Sequence, residues 1–358
     1  MKLTKLREQI DKIDEQILDL LNARTEVVKE VGKSKAKNSL NYYDPSREEK
    51  ILARLQQINK GPFPNASIIA VFREIISASL SLEKPMKIAY LGPDATFTHI
   101  AALKKFGFAA SLTPMIGLKQ IFSAVERDRA DYGVVPLENS IEGVASHTLD
   151  LFIDSELKIF TEIIFNIKHD LLGLHSDPAK IKKIYAHPHS IFQCSEWLQK
   201  HWANKSILEV SSTSQGVKLV HQDPTAALIA EETIGGLYQL HTVYKRIEDN
   251  TRNFAKFLVL KKNWSPPTNN DQTSILFSMK NKVGALSLLL QPFVNQKINL
   301  QRIESRPIPN RPWESVFLVD FDGHVHEDRV TQALEELKTY CDFFKILGSY
   351  PKSKLTIG

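Results

Sequence analysis

From Leu3 to Val31 apolar residues recur at steps of three and four, with neither glycine nor proline before Gly32. Leu3, Leu6, Ile10, Ile13, Ile17, Leu20, Leu21, Val27, Val28 and Val31 then share one stripe of a 3.6-residue helix, so the spacing predicts one long amphipathic helix. Asp44-Pro45 supplies an N-cap and a proline at the first helical position, opening a second helix that should stop near Gly61. Asn65 is expected to cap a third, with Ile68, Ile69, Phe72, Ile75, Ile76 and Leu80 as its buried stripe and Lys84-Pro85 as its end. Three helices in so short a stretch enclose a small core, and nothing in the chain covers the ends of the longest, which points to a dimer. Arg7 and Arg24 are seventeen residues apart, roughly 25 Å along a helix, too far to hold one small anion together. If both bind one ligand, one comes from a partner chain.

The segments KLREQIDKID, LLNARTEVVKEVGKSK, DPSREE and FREIISASLSLE resemble, in order and spacing, the all-helical chorismate mutases that are fused to prephenate dehydratases. The resemblance implies that Arg7, Arg24, Lys35 and Arg47 hold the two carboxylates of the substrate, with Asp44, Glu48 and Ser79 assisting orientation. A pericyclic rearrangement needs no nucleophile, only a clamp on a compact dianion and a donor to the ether oxygen that gains negative charge. Glu83 stands where many relatives carry Gln. A Gln donates an N–H at any pH, whereas an ionised Glu can only accept.

From Met86 short apolar strands alternate with helices. The pattern predicts a strand at 88–91, helices at 98–106 and 116–127, and a buried strand that leaves the sheet at Pro136 into the polar stretch VVPLENSIEG of residues 134–143. After Leu157 the alternation restarts with 159–167, 181–186, a helix over 190–201, a strand at 207–210 and a helix at 214–220. This is an α/β arrangement in two similar halves, with 254–260 expected to return to the first. The motifs YLGPDATFTH, VPLENSIEG, AHPHSIFQC, VSSTSQG and DNTRNFAKF resemble the prephenate dehydratase domain and its periplasmic-binding-protein-like pair of lobes. By that resemblance Thr96, Asn139, Ser140, His187, Gln193, Ser212 and Thr213 contact substrate. Three departures bear on the chemistry: Ala95 replaces the family's Gly, Ala186 a frequent Ser, and Ala255-Lys256 the Thr-Arg whose threonine is held to be catalytic.

A polar, proline-containing linker, Trp264 to Asp271, precedes a βαββαβ order: strand 274–279, helix 284–294, strands 298–306 and 316–321, helix 330–340 and strand 344–350. KNKVGALSLLL and INLQRIESRPIP resemble the amino-acid-binding regulatory domain of the ACT type. The resemblance implies that Gly284, Ala285 and Leu286 approach the ligand backbone and that Glu304, Ser305 and Arg306 frame its pocket. The expected domains are an all-helical mutase at 1–84, a dehydratase-like α/β domain at 85–262 and an ACT domain at 272–352.

The charge of +5 is spread along 358 residues, which suits anionic small substrates and, without basic runs interleaved with aromatics, argues against nucleic acid. Cys194 and Cys341 have no metal or disulfide spacing. The N-terminus lacks the continuous apolar core of a signal peptide or membrane span, so a cytoplasmic protein is expected. No cofactor or metal is implied. The leading expectation is chorismate to prephenate in the helices, prephenate to phenylpyruvate in the cleft, phenylalanine as effector, and a homodimer or higher assembly. The alternatives are a cleft that decarboxylates prephenate without aromatising it, and a sensor that performs no chemistry there.

Overall fold

The computed structural model describes residues 2–37, 43–140, 143–144, 146–203, 205–279, 283–308 and 311–353. Glu142 of the 134–143 stretch and Lys280 to Lys282 of KNKVGAL lie outside them. The chain divides into two compact units, residues 1–87 with 106–111, and residues 88–105 with 112–358.

The first unit is built on α1 (Lys2–Lys37), α2 (Pro45–Ile58) and α3 (Asn65–Glu83). The first helix does not stop at Gly32. A Cβ there would lie 3.0 Å from Glu83 Cγ, so this glycine serves the close approach of α1 and α3 rather than a helix end. Asp44 caps α2 as expected, its carboxylate accepting from Arg47 N at 3.1 Å, with Pro45 in the first turn. Asn65 is not a cap: the N-cap of α3 is Pro64, and Asn65 Oδ1 instead accepts from Asn59 Nδ2 at 2.8 Å. Ile68, Ile76 and Leu80 are buried, while Ile69, Phe72 and Ile75 are half-buried. Although α3 is long and apolar enough to cross a membrane by composition, it packs on α1 and α2. Most of the apolar stripe of α1 is left uncovered, with Leu20 70% exposed and Leu3, Ile10, Ile17 and Val27 also exposed.

The second unit begins with a lobe of β1 (Lys87–Leu91), α4 (Phe97–Phe106), β2 (Ser111–Met115), α5 (Leu118–Glu126), β3 (Tyr132–Asn139), β4 (Gly143–Val144), α6 (Ser146–Asp154) and β5 (Lys158–Asn166). Another lobe follows with β6 (Asp170–Gly173), β7 (Lys183–Ala186), α7 (Pro188–Gln193), α8 (Ser195–Trp202), β8 (Ser206–Glu209), α9 (Thr213–Gln222), β9 (Ala226–Ala230), α10 (Glu232–Leu237) and β10 (His241–Tyr244). The sheet orders are β2-β1-β3-β11-β5 and β10-β6-β9-β7-β8, where β11 (Phe254–Lys261) returns to the first lobe as the sequence predicts. The helix expected over 190–201 is two, broken at Cys194. The cause is Asp249, whose carboxylate accepts from Glu196 N and Trp197 N at 2.9 and 3.0 Å and so caps a fresh helix.

The last part of this unit has the predicted βαββαβ order: β12 (Asp271–Ser278), α11 (Ala285–Asn295), β13 (Leu300–Ile308), β14 (Arg311–Asp322), α12 (Asp328–Lys338) and β15 (Phe343–Pro351). The strands lie in the order β13-β14-β12-β15. One sheet face buries Ile275, Phe277, Val319 and Phe321 against Leu289, Phe293, Leu334 and Leu337. Leu276, Leu318, Leu347 and Tyr350 join Val135, Leu258 and Leu260 in a core shared with the first lobe. Strand alternation makes this possible, because successive side chains face opposite ways. Gly348 permits the junction, since a Cβ there would meet Ile159 O at 2.3 Å.

Candidate active sites

In the helical unit the guanidinium of Arg24 on α1 donates to Ser79 Oγ on α3. One helical turn further along α3, Glu83 Oε2 accepts from Lys35 Nζ at 3.3 Å. Arg24, Lys35, Ser79 and Glu83 therefore line the α1–α3 seam. Burial lowers the Arg24 pKa, against the raising influence of Glu83; its charge is retained at working pH in any case. Asp44 and Glu48, the latter buried, open α2 beside the exposed Arg47. Arg7 is exposed near the far end of α1, and the structure does not bring it to this seam.

Between the two lobes of the other unit lies a cavity of about 330 Å³, a small-molecule size, lined among others by Thr96, Asn139, His187, Gln193, Ser212 and Thr213. Its walls are strand ends and helix starts. His99 N donates to Thr96 Oγ1 in the first turn of α4, and Gln215 N donates to Ser212 Oγ, the N-cap of α9. Two helix N-termini thus face the cavity, and oriented backbone N–H groups there favour an anion. His187 caps α7, its Nδ1 accepting from His189 N at 3.3 Å. At the floor, burial opposes ionisation of Glu231, but Lys104 at 2.9 Å and Thr233 outweigh it and hold the carboxyl below its ordinary range.

Ser140 does not line this cavity. Its Oγ accepts from Phe254 N at 2.9 Å and donates to Asn253 Oδ1 at 3.4 Å. Asn253, only 1% exposed, also donates from Nδ2 to Gln193 Oε1 at 3.1 Å, tying Ser140 of one lobe to Gln193 of the other. Asn253 and the cavity-lining His169 escaped sequence reasoning; the first lies inside the DNTRNFAKF motif, while nothing in pattern distinguished the second. Ala186 is fully buried in the apolar core of the second lobe. Ala255 is in register with Asn139 across β11 and β3, as Lys256 is with Glu138. Directly opposed residues of an antiparallel pair share a face, so Ala255 presents its methyl on the Asn139 side. Ala95, at φ +65°, occupies the left-handed region that glycine adopts without cost.

A further hollow of about 500 Å³ lies where the C-terminal sheet meets the first lobe, lined by Glu138, Ser140, Glu162, Lys256, Gln272, Arg302 and Asp320 among others. Lys256 Nζ lies 3.1 Å from Glu162 Oε2, which also accepts from Gln272 Nε2 at 2.8 Å. Arg302 reaches Glu138 at 3.3 Å and Glu304 at 2.7 Å.

Of the residues expected to bind a regulator, Gly284 caps α11 at φ +80°, a conformation suited to glycine, followed by Ala285 and a 40% exposed Leu286. Glu304 and Arg306 pair with Arg302 and with Asp150 on α6 at 3.5 Å. Ser305, between them on β13, is exposed and faces the other way.

Residues 6–84 match the family of chorismate mutase type II, residues 88–265 that of prephenate dehydratase and residues 273–339 that of the ACT domain. The chain is 45% identical to a bifunctional chorismate mutase/prephenate dehydratase of Aquifex aeolicus, the alignment covering 99% of both. It is 40% identical to the protein of that description from Pseudomonas aeruginosa, again over 99% of each. The structure of a prephenate dehydratase in complex with L-Phe from Arthrobacter aurescens superposes on 75% of this chain and 90% of its own, with TM-score 0.66 and 30% identity.

Proposed function

Because the chain belongs to the family of bifunctional chorismate mutase/prephenate dehydratases, we propose that its helices rearrange chorismate to prephenate and its cleft turns prephenate into phenylpyruvate. The C-terminal domain lets phenylalanine restrain the second reaction. The observation that carries the cleft assignment is the convergence of Thr96, Asn139, His187, Gln193, Ser212 and Thr213 on one cavity.

The mutase site is the α1–α3 seam. Arg24 and Lys35 hold carboxylates of the dianion, Arg47 joins them from α2, and Ser79 and Glu48 orient the clamp; Arg7 enters from a second copy. The uncovered stripe of α1 supports that dimer, since large exposed apolar surface is what association removes from water.

In the cleft, helix N-termini and the amides of Asn139 and Gln193 receive a dianion with no lysine or arginine among the described lining residues. Decarboxylation sends an electron pair into the ring, and a ring hydroxyl departs. Ser140 acts through Asn253 by holding Gln193. A second reading, decarboxylation with retention of the hydroxyl, is favoured by Ala255, which lacks the hydroxyl that the family places there. Supplying chorismate to the full chain and following products by NMR tests both. Phenylpyruvate supports the dehydratase; a product that keeps the ring hydroxyl replaces it by the decarboxylase; prephenate that persists removes chemistry from the cleft.

For regulation, the shared core of the C-terminal sheet and the first lobe supports a ligand-sensitive link. Gly284 to Leu286 and Glu304 to Arg306 are the proposed contacts for phenylalanine.

A further inference from the structure

His169 lines the interlobe cavity and is 1% exposed, yet neither ring nitrogen has a hydrogen-bond partner among the described residues. Its backbone is fixed on both sides: its N–H donates to Glu248 Oε2 at 2.9 Å and its carbonyl accepts from Ile247 N at 2.7 Å. The ring stands edge-on to Phe97, centroids 5.7 Å apart. Leaving a buried polar group unpaired costs about 1 to 3 kcal/mol, and an apolar side chain of similar size would avoid it. A ligand that partners the imidazole accounts for the arrangement.

Four other lining groups already have partners within the protein. Thr96 and Ser212 cap helices, Gln193 accepts from Asn253, and Glu231 is paired with Lys104. We propose that His169 is a catalytic residue of the cleft, giving its proton to the ring hydroxyl of prephenate as the carbon–oxygen bond breaks. The inference rests on the dehydratase reading above.

The step balances. The pair of the breaking carbon–carboxylate bond enters the ring, carbon dioxide leaves, the ring carbon–oxygen bond breaks, and the hydroxyl takes the imidazolium proton to depart as water. Burial alone pushes the ring's pKa down to about 4, so it enters the cycle neutral. Of the charged groups near it, Glu231 pairs with Lys104 and Glu248 with Arg246, while the Asp170 carboxylate accepts from the backbone N–H of Arg246. A dianion arriving in the same low-dielectric space is the new charge, and it favours the imidazolium. Prephenate should therefore bind with uptake of a proton, which the reaction spends on the leaving water.

The test uses the full chain with His169→Phe, which removes both nitrogens, and His169→Asn, which restores one N–H donor. A positioned acid is worth about 10²- to 10⁴-fold. Phenylpyruvate formation should fall at least a hundredfold in His169→Phe, with prephenate affinity within fivefold of wild type and partial recovery in His169→Asn. Calorimetric titration of a non-reacting dicarboxylate analogue that lacks the ring hydroxyl, in buffers of different ionisation enthalpy, should show proton uptake in wild type and none in His169→Phe. Wild-type turnover to phenylpyruvate with His169→Phe within threefold of it sinks the inference alone. A wild-type product that keeps the ring hydroxyl sinks the dehydratase reading and the inference with it. If His169→Phe does not fold, His169→Asn decides: turnover reduced by about tenfold or more and proton uptake abolished with affinity kept supports the role, and unchanged values in both overturn it.

Discussion

Arg302 Nη1 lies 3.3 Å from Glu138 Oε2, so β13 of the C-terminal sheet grips the residue directly before Asn139 of the cleft. Glu138 and Asn139 point to opposite faces of β3, one lining the hollow at the C-terminal sheet and one the interlobe cavity. A shift of either moves the other, because both ride on one backbone. Two sites that bias one element are coupled reciprocally, by typically 5- to 150-fold. Arg302→Ala should weaken phenylalanine inhibition by fivefold or more while changing the uninhibited prephenate KM by less than threefold. Inhibition curves at fixed prephenate read the effect, and an unchanged curve in a folded variant removes this link from the mechanism.

Glu83 bears on the mutase. An ionised carboxylate held by Lys35 cannot donate to the ether oxygen, whereas Gln can at any pH. Glu83→Gln should raise mutase kcat several-fold at neutral pH. Equal kcat for the two proteins would argue that the side chain is structural.

Sharing of the mutase site has its own signature. A mixture of Arg7→Ala and Arg24→Ala chains can form dimers with one intact site, so activity should recover to a fraction of wild type after subunit exchange. Exchange verified by mass spectrometry without any recovery counts against a partner's Arg7.

The fold was readable where one local signal decided the outcome. Helix stripes, the Asp44-Pro45 cap and the βαββαβ order rest on periodicity and turn chemistry that act within a few residues. Gly32 was not readable in this way because its reason is tertiary: it makes room for Glu83, fifty-one positions away in the chain. Residues 226–230, AALIA, form the fully buried β9, and a short strand covered on both faces shows no alternation to read. Cavity-lining residues stand in motifs that resemble a family, and of the three departures from those motifs only Ala95 lines the cavity. His169 and Asn253 were not legible, since a lone imidazole or amide declares itself only when its surroundings are known. Ser140 illustrates the converse: its motif is right, but its hydroxyl is turned to β11 and Asn253.

His169 also makes stability depend on pH. Its pKa in the folded chain, about 4, lies below the ordinary 6.5, so between these values the unfolded chain binds the extra proton and the native chain does not. Stability is complete above pH 6.5, falls as pH drops toward 4, and falls no further from this group below that. The shift corresponds to about 3 kcal/mol. Urea midpoints followed by tryptophan fluorescence, to which Trp197 and Trp202 of the second lobe contribute alongside Trp264 and Trp313, should drop between pH 6.5 and 4.5 more steeply in wild type than in His169→Phe. Parallel slopes would place the imidazole in a more solvated setting.

Ala255 decides how much of the dehydration the imidazole must carry. Ala255 is in register with Asn139, opposed residues share a face, and Ala255 itself lines the hollow at the C-terminal sheet, so Ala255→Thr introduces a hydroxyl beside a proposed substrate contact. Hydroxide leaves poorly unless a donor meets it as the bond breaks. A second donor should therefore accelerate phenylpyruvate formation by tenfold or more, about 1.4 kcal/mol in barrier. Two donors to one oxygen do not add independently. In the Ala255→Thr background, His169→Phe should cost clearly less than in wild type, because the threonine takes over part of the leaving-group stabilisation. The four proteins of this cycle separate the possibilities by kcat alone. Acceleration with a smaller histidine effect supports a shared target oxygen, whereas acceleration with an undiminished histidine effect assigns the two groups to different atoms of the substrate. No acceleration shows that the family's threonine position has lost its reach in this chain.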